Sequence, residues 1–323
     1  MTFEDLPTVP RSEELIDTAF SRAARAGRAK SGIEAQQSML VTASNIISDN
    51  LQNVSTTWPD FDALDPFYHE LADAVADGGV DTLKQHLSEV MWASEKTAEI
   101  RSEYQSRLRG DTETAQLLRK QAFARLADVT REVSGDLEAL NEARDQLKQL
   151  PDIRPDEPAI VIAGYPNVGK STFVNHVTNA RNEIASYPFT TKRVQVGHID
   201  RNHIRYQLID TPGLLDRPAA DRNDIESQAV SALTHLADCI LVFIDASASC
   251  GYPVDVQLTL RDELKSRFDG VPVVTVCAKA DQSRELDADL YLSVPEEEGV
   301  DELLEAAIDR IDHTIELPYE PTE

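Results

Sequence analysis

Two glycines, a lysine and a serine near the middle of the chain have the spacing that phosphate chemistry requires. They read G-x-x-x-x-G-K-S and follow the β-branched run at residues 160–162 after one alanine. The glycines let the backbone curl so that several N–H groups point at one phosphate, and the next helix directs its positive dipole end to the same place. The pattern predicts a phosphate-binding loop for a nucleotide, formed by Gly164, Tyr165, Pro166, Asn167, Val168, Gly169, Lys170, Ser171 and Thr172.

Within this loop, Lys170 is expected to bridge the β- and γ-phosphates, and the Ser171 hydroxyl is expected to ligate Mg²⁺. A chance match in a glycine-rich loop is the alternative. It is disfavoured because a buried-strand pattern precedes the loop and a helix pattern follows it.

A second stretch, Asp210-Thr211-Pro212-Gly213, ends a predicted strand. An Asp in this position holds the metal, usually through water, and the Gly213 N–H can bond a γ-phosphate only when one is present, which makes a switch. A simple strand-to-turn Asp is the alternative. Thr190 and Thr191 lie in the interval that supplies a further Mg²⁺ ligand in such switches.

Discrimination of the base is expected from Ala278-Lys279-Ala280-Asp281, which matches the guanine motif [NT]-K-x-D except at its first position. The Lys279 stem would pack on the purine, and the Asp281 carboxylate would accept from the guanine N1–H and N2–H₂. The missing amide at Ala278 should weaken binding by one hydrogen bond, about 0.5–1.5 kcal/mol, without reversing specificity. Ser293 lies where a final base-contacting loop is expected.

The elements that must position these residues fall into two predicted domains. Residues 1–150 show apolar stripes at helical spacing, with helices over 34–57, 60–78, 80–109 and 112–148 after a first one from Ser12, and predict an antiparallel bundle. A proline-rich linker follows at 151–158. Strands alternate with helices over 159–312 and predict a three-layer, mostly parallel α/β sheet, with residues 180–193 as a loop. Residues 313–323 form an acidic tail.

One basic island stands out in the helical part, formed by Arg22, Arg25, Arg28 and Lys30. It fits a solvated helix end, where cations are favourable, as well as a phosphate-contacting patch, most simply for RNA. A second basic concentration, around the turn at Gly110, is interleaved with acids and is expected to be salt-bridged.

The composition is strongly acidic, with a formal net charge of −26, of which −10 falls on residues 1–150 and −16 on the rest. This balance is typical of a protein from a high-salt cytoplasm, and an ordinary acidic protein is the alternative. Three cysteines do not make a disulfide framework, and no apolar run is long enough to span a bilayer. A cytoplasmic location with no membrane partner is expected.

Four segments together resemble the nucleolar GTP-binding protein 1 family of Obg-like GTPases in the form of its short archaeal members. They are GYPNVGKS, YPFTTKR, DTPGLLDRP and, near the N-terminus, ELIDTAFSRAAR. The resemblance implies a GTPase that assists assembly of the large ribosomal subunit, with its helical domain against ribosomal RNA. It also implies Thr191 as the metal ligand of the switch loop, and it favours the RNA interpretation of the basic island.

The chain departs from the family at Ala278, at Val294 after Ser293, where Ala is common, and in the long C-terminal extension of the eukaryotic members. Leu214 follows Gly213 where Ras-like enzymes carry a water-orienting Gln, so slow intrinsic hydrolysis is expected. Related enzymes use K⁺, and Asn167 lies where they supply a ligand to it. A turn-forming Asn is the alternative there.

The sequence therefore predicts a monomeric, Mg²⁺-dependent GTP/GDP switch, slow in hydrolysis, that acts on a precursor of the large ribosomal subunit. The residues expected to act in hydrolysis are Lys170, Thr191, Gly213 and Asn167. A catalytically weak scaffold that binds RNA, supported by Ala278 and Leu214, is one alternative. An Obg-like GTPase in translation or stress signalling is another.

Overall fold

The computed structural model describes residues 3–150, 153–178, 183–186, 193–211, 215–216 and 224–311. The chain divides into two compact units. The first comprises Met1–Leu64 and Val75–Lys148, and the second comprises Asp65–Ala74 and Gln149–Glu323. The acidic tail expected at 313–323 lies outside the described residues.

Helices dominate the N-terminal half, as the apolar periodicity predicts. Their apolar side chains recur at three- and four-residue intervals and are buried, as at Leu40, Ile47, Leu51 and Val54. The bounds are α1 (Ser12–Arg28), α2 (Gly32–Thr57), α3 (Pro66–Val75), α4 (Gly79–Arg107), α5 (Thr112–Glu132) and α6 (Ser134–Leu147).

The single helix predicted over 112–148 is wrong, because the chain breaks at Val133 into α5 and α6. Val133 has φ −95° and ψ 20°, outside helical geometry. Ser134 and Gly135 follow it, and both are weaker helix formers than the residues around them. The Ser134 hydroxyl lies 2.9 Å from that of Ser12 on α1. The apolar spacing continues across the break, so periodicity alone did not reveal it.

The helix predicted over 60–78 is also shorter than expected. A 3₁₀ turn at Phe61–Ala63 precedes α3, and the Asp65 carboxylate accepts from the N–H of Phe67 at 2.9 Å. Residues 65–74 group with the second unit. There the Glu70 carboxylate lies 3.1 Å from His235 Nε2 and accepts from the Ser231 hydroxyl at 3.3 Å.

The second unit is built on a seven-stranded sheet in the order β2-β3-β4-β1-β5-β6-β7. Its pairs β4-β1, β1-β5, β5-β6 and β6-β7 are parallel, which confirms the predicted mostly parallel α/β sheet. The strands are β1 (Ala159–Ala163), β2 (Glu183–Ser186), β3 (Arg193–Arg201), β4 (Ile204–Asp210), β5 (Cys239–Asp245), β6 (Val273–Ala278) and β7 (Leu290–Leu292), with helices α7 (Lys170–Val177), α8 (Asp224–Leu236), α9 (Val254–Arg267) and α10 (Val300–Ile308).

The other sheet edge is antiparallel. The predicted pairing of β3 with β4 is confirmed, and Asn202 and His203 turn the hairpin with φ of 52° and 66°, the left-handed geometry that suits a tight hairpin. The loop predicted over 180–193 is wrong at Glu183–Ser186, which pairs with β3. Four residues carry too little periodicity to identify such a strand, and its hydrogen-bond partners come from β3.

Cys239, Cys250 and Cys277 are free and buried, as predicted for the first and third. Burial raises the pKa of Cys239 to about 12, so this thiol stays protonated near neutral pH. Among the described helices, none combines the length and the apolar content that crossing a bilayer requires.

Candidate nucleotide-binding site

The carboxyl ends of the parallel strands meet at one edge of the sheet, and the predicted site residues lie there. The loop after β1 has the glycine geometry that the motif predicts. Gly164 has φ 133°, and a Cβ on it would lie 2.4 Å from the Phe243 carbonyl oxygen of β5. Gly169, with φ 108°, is the N-cap of α7. Any larger residue at Gly164 would therefore push the loop away from the sheet.

Lys170 lies over this loop and is only 6% exposed. Its ammonium donates to the carbonyl oxygens of Gly164 at 2.7 Å and Tyr165 at 2.9 Å. The backbone of the loop thus holds the ammonium group beside the place where a phosphate is expected. A phosphate anion arriving there would be a stronger partner than these neutral acceptors.

The metal-side residues are adjacent. Ser171 Oγ donates to Asp210 Oδ2 at 2.5 Å, and Asp210 is fully buried at the end of β4. Its other oxygen, Oδ1, has no hydrogen-bond partner among the described residues. Burial raises the pKa of Asp210, with the hydrogen bond from Ser171 and the charge of Lys170 opposing that rise.

These features fit Mg²⁺. A hydroxyl and a carboxylate are the hard oxygen donors that it prefers, and a cation would stabilise the buried, ionised carboxylate. Thr190, Thr191 and Gly213, which were expected to complete this end of the site, lie outside the described residues, as does Leu214.

At the base end, Lys279 has φ 53°, and the N–H of Ala280 donates to the Leu292 carbonyl at 3.0 Å. The Ser293 hydroxyl donates to Asp281 Oδ1 at 2.7 Å, and Ser293 is fully buried. Ser293 therefore orients the Asp281 carboxylate in this structure. Asp281 itself is exposed and accessible to a ligand.

One cavity of about 170 Å³ joins the two ends of the site. The phosphate loop and α7 form one wall, and the guanine-motif segment with the loop after β7 forms the other. The lining residues are Val168, Gly169, Thr172, Phe243, Ala278, Lys279, Asp281, Gln282, Leu292, Val294 and Pro295. Sequences far apart in the chain thus meet as the motifs predict, while the functional role of each residue stays a prediction.

The remaining loop residues have other surroundings. The Tyr165 ring lies 4.4 Å from that of Tyr252, centroid to centroid, and is almost fully buried. Asn167 is exposed with φ 64°, which is the geometry of a turn-forming Asn and leaves its amide available to solvent.

Sequence reasoning missed Asp245, which ends β5 and lies fully buried beside the guanine motif. Lys279 Nζ donates to Asp245 Oδ2 at 2.8 Å. The signal was available, because a lone carboxylate closes the buried run CILVFID at the sheet edge where site residues gather. That Asp245 pairs with Lys279 could not be predicted from the sequence pattern.

In the helical unit, Arg22, Arg25, Arg28 and Lys30 are exposed. Lys30 pairs with Glu34 at 2.9 Å, whereas the three arginines form no ion pair with any described residue. In the second basic concentration, Glu103 accepts from both Arg107 and Arg125. The prediction of salt-bridged helices is confirmed for these two arginines.

Comparison with known proteins identifies both halves. The sequence profile of the NOG1 N-terminal helical domain matches residues 3–154, and that of the 50S ribosome-binding GTPase matches residues 159–279. The uncharacterised protein MJ1408 of Methanocaldococcus jannaschii is 37% identical over 290 residues, which cover 86% of this chain and 81% of that protein.

Nucleolar GTP-binding protein 1 of Drosophila melanogaster is 35% identical over 86% of this chain, and the one from Saccharomyces cerevisiae is 30% identical over 93%. The chain spans only 44% and 48% of the length of these two relatives. A crystal structure of a nucleolar GTP-binding protein 1 from Plasmodium falciparum aligns with a TM-score of 0.46 and 34% identity, covering 50% of this chain and 90% of that one.

Proposed function

Because the chain belongs to the nucleolar GTP-binding protein 1 family of GTPases, we propose that it is a Mg²⁺-dependent switch that binds GTP and GDP and hydrolyses GTP slowly. The observation that carries the proposal is the shared cavity, in which Val168 and Gly169 of the phosphate loop face Lys279 and Asp281 of the guanine motif. A nucleotide with its base at Asp281 and its phosphates at Lys170 would span this cavity.

At the phosphate end, Ser171 and Asp210 would hold the metal, with Thr191 joining from the switch loop. Mg²⁺ supplies charge neutralisation at the β- and γ-phosphates when bound. Lys170 adds positive charge on the same phosphates, and the loop N–H groups orient them. Gly213 would sense the γ-phosphate, and loss of that phosphate would release the switch.

Guanine selectivity is expected from Asp281, whose carboxylate Ser293 already orients. Calorimetric titration with GTP, GDP and ATP at high KCl with Mg²⁺ tests this. Guanine nucleotides should bind and ATP should not. Asp281→Asn should weaken guanine binding by about a hundredfold, because the amide keeps only one neutral acceptor and turns an NH₂ donor towards a guanine N–H. Asp287→Asn, an exposed carboxylate on the same loop, is the matched control.

Absence of any nucleotide binding at millimolar concentration would overturn the proposal in favour of an RNA-bound scaffold. So would normal subunit assembly by a Lys170→Ala variant. Co-sedimentation with mature ribosomes in place of large-subunit precursors would favour the translation or stress-signalling alternative.

The proposal extends to K⁺, with Asn167 as its ligand, because the amide of Asn167 is exposed at the phosphate loop. Turnover should be faster in KCl than in NaCl of equal strength, and Asn167→Ala should remove the difference. Equal turnover of the wild type in both salts would leave Asn167 as a turn residue only.

The partner is proposed to be a precursor of the large ribosomal subunit, bound by a monomer in the cytoplasm through its ribosomal RNA. The support is the charge pattern of the helical unit, where Arg22, Arg25 and Arg28 carry exposed charges without ion-pair partners among the described residues. Unneutralised cations are the ones that release counterions from a phosphate backbone.

This extension predicts a salt effect. Replacing Arg22, Arg25 and Arg28 by Gln should weaken binding to a large-subunit rRNA transcript. The negative slope of log K against log salt should become shallower by about 2–3. The charge-matched control replaces Lys96, Arg107 and Arg125, which pair with Glu99 and Glu103. Equal losses in both triple variants would contradict a specific role for the island.

A further inference from the structure

The guanine motif lacks its leading amide, yet its lysine is held firmly by another residue. In the parallel register of β5 and β6, Asp245 lies directly beside Ala278. Lys279 Nζ donates to Asp245 Oδ2 at 2.8 Å and to Ser249 Oγ at 2.9 Å. The carboxylate thus lies at the strand position next to Ala278, where the guanine motif usually carries an amide.

Asp245 is fully buried, and the hydrogen-bond donors around its carboxylate favour the ionised form. Its Oδ1 accepts from the N–H and the hydroxyl of Ser247, at 3.0 and 2.5 Å, and its Oδ2 accepts from the Ser249 hydroxyl and the Cys250 N–H, both at 2.9 Å. Burial would raise the pKa of Asp245, but the hydrogen bonds from Lys279, Ser247, Ser249 and Cys250 outweigh it and lower the pKa to about 2.

The segment that surrounds this carboxylate also contacts the phosphate loop. Gln257 is buried, and its amide bonds the Asp245 N–H at 2.8 Å and the Tyr252 carbonyl at 2.8 Å. The Tyr252 ring packs against the Tyr165 ring, with the two ring planes tilted by 35°. Residues 245–252 therefore bridge the guanine motif and the phosphate loop through the side-chain contacts of Asp245 with Lys279 and of Tyr252 with Tyr165.

We propose that Asp245 is a positioning residue for guanine-nucleotide binding, which fixes the Lys279 stem along the cavity wall in a guanine motif that lacks its leading amide. A free lysine side chain loses much rotamer entropy when it packs on a base. The ion pair with Asp245 orders the Lys279 stem before the nucleotide binds, so little further rotamer entropy is lost on binding. The proposal rests on the nucleotide site proposed above.

The test is a double-mutant cycle in the Kd for GDP with Mg²⁺, measured by calorimetry on the full chain. Asp245→Asn should weaken GDP about tenfold, and Lys279→Met, which keeps an apolar stem, should do the same. Asp245→Asn in the Lys279→Met background should add less than twofold, because its effect passes through the lysine. A merely structural role would give multiplying losses, and that result would overturn the proposal.

Asp289→Asn is the matched control, because Asp289 Oδ2 accepts from the Thr275 N–H of the same strand β6 at 2.7 Å without lining the cavity. It should leave the GDP Kd within twofold. If Asp245→Asn does not fold, Ser249→Ala keeps the carboxylate and removes the other oxygen that holds Lys279. That variant should weaken GDP about threefold in the wild type and not in Lys279→Met, and unchanged binding in both would overturn the proposal.

The two proposals fail differently. A wild-type protein that binds no GDP at millimolar concentration refutes the nucleotide site itself. A wild type that binds GDP, with Asp245 variants that bind equally well, refutes only the role of Asp245.

Discussion

The two lysines of the site are held in opposite ways. Lys170, at the expected phosphate end, donates to the carbonyl oxygens of Gly164 and Tyr165, which lie six and five residues before it. Lys279, at the base end, donates to the buried carboxylate of Asp245, 34 residues away and on a neighbouring strand.

The difference matches the two tasks that we propose for these lysines. Neutral carbonyls hold an ammonium without cancelling its charge, so Lys170 can exchange them for an anionic phosphate. A buried carboxylate forms a lasting pair, so the head of Lys279 is fixed and only its stem faces the cavity. Lys170 would thus remain available to the phosphates of a ligand, whereas Lys279 would form part of the cavity wall against which the base lies.

The largest effect should come from removing the exchangeable cation. Lys170→Ala should weaken GTP by about a hundredfold or more, because charge-assisted hydrogen bonds to two phosphates are lost. Calorimetry measures it, with Lys265→Ala, an exposed lysine on α9, as the control. Unchanged GTP affinity would mean that the phosphates do not lie at this loop.

The pairing of Lys279 with Asp245 should contribute to the free energy of unfolding. The folded pKa of Asp245, about 2, lies below its ordinary value of 3.8, so its contribution is present above pH 4 and is lost as pH falls towards 2. This pH-dependent part amounts to about 2 kcal/mol.

Urea unfolding at pH 6, 4 and 3 measures that part as the difference between wild type and Asp245→Asn. The difference should be largest at pH 6 and shrink as the pH falls. A difference that is independent of pH would argue against an ionised Asp245.

An intermediate effect is expected at the metal side of the phosphate end. Ser171→Ala should raise the Mg²⁺ concentration for half-maximal GTP binding about tenfold, because one oxygen ligand is lost beside Asp210. Thr234→Ala is the control, because it removes a hydroxyl that donates to the Ser231 carbonyl of its own helix at 2.6 Å. An unshifted Mg²⁺ dependence would exclude Ser171 as a ligand.

The smallest effect sharpens the contrast at the base end. Ala278→Asn, which restores the amide, should strengthen GDP by less than threefold, since Asp245 already holds Lys279. In the Asp245→Asn background the same change should help by about tenfold, within the range of one or two hydrogen bonds. Equal gains in both backgrounds would show that the amide and the carboxylate do not share a task.

Sequence reasoning succeeded where the determining contacts are local. The glycine spacing at 164 and 169 and the alternation of strands and helices were enough to predict the phosphate loop, the parallel sheet and the meeting of two motifs at one edge. It failed at Val133, where two helices keep one apolar period, and at Glu183–Ser186, where a neighbouring strand supplies the pairing.

The sequence by itself determined the conformation of the loop after β1, because Gly164, Gly169 and Lys170 shape it through backbone geometry within a few residues of each other. It also determined the acidic surface and the island of arginines, which are matters of composition. Only the tertiary structure decided how Lys279 is held. Asp245 meets Lys279 because parallel pairing brings β5 beside β6, and burial then leaves that carboxylate stable only with such a partner.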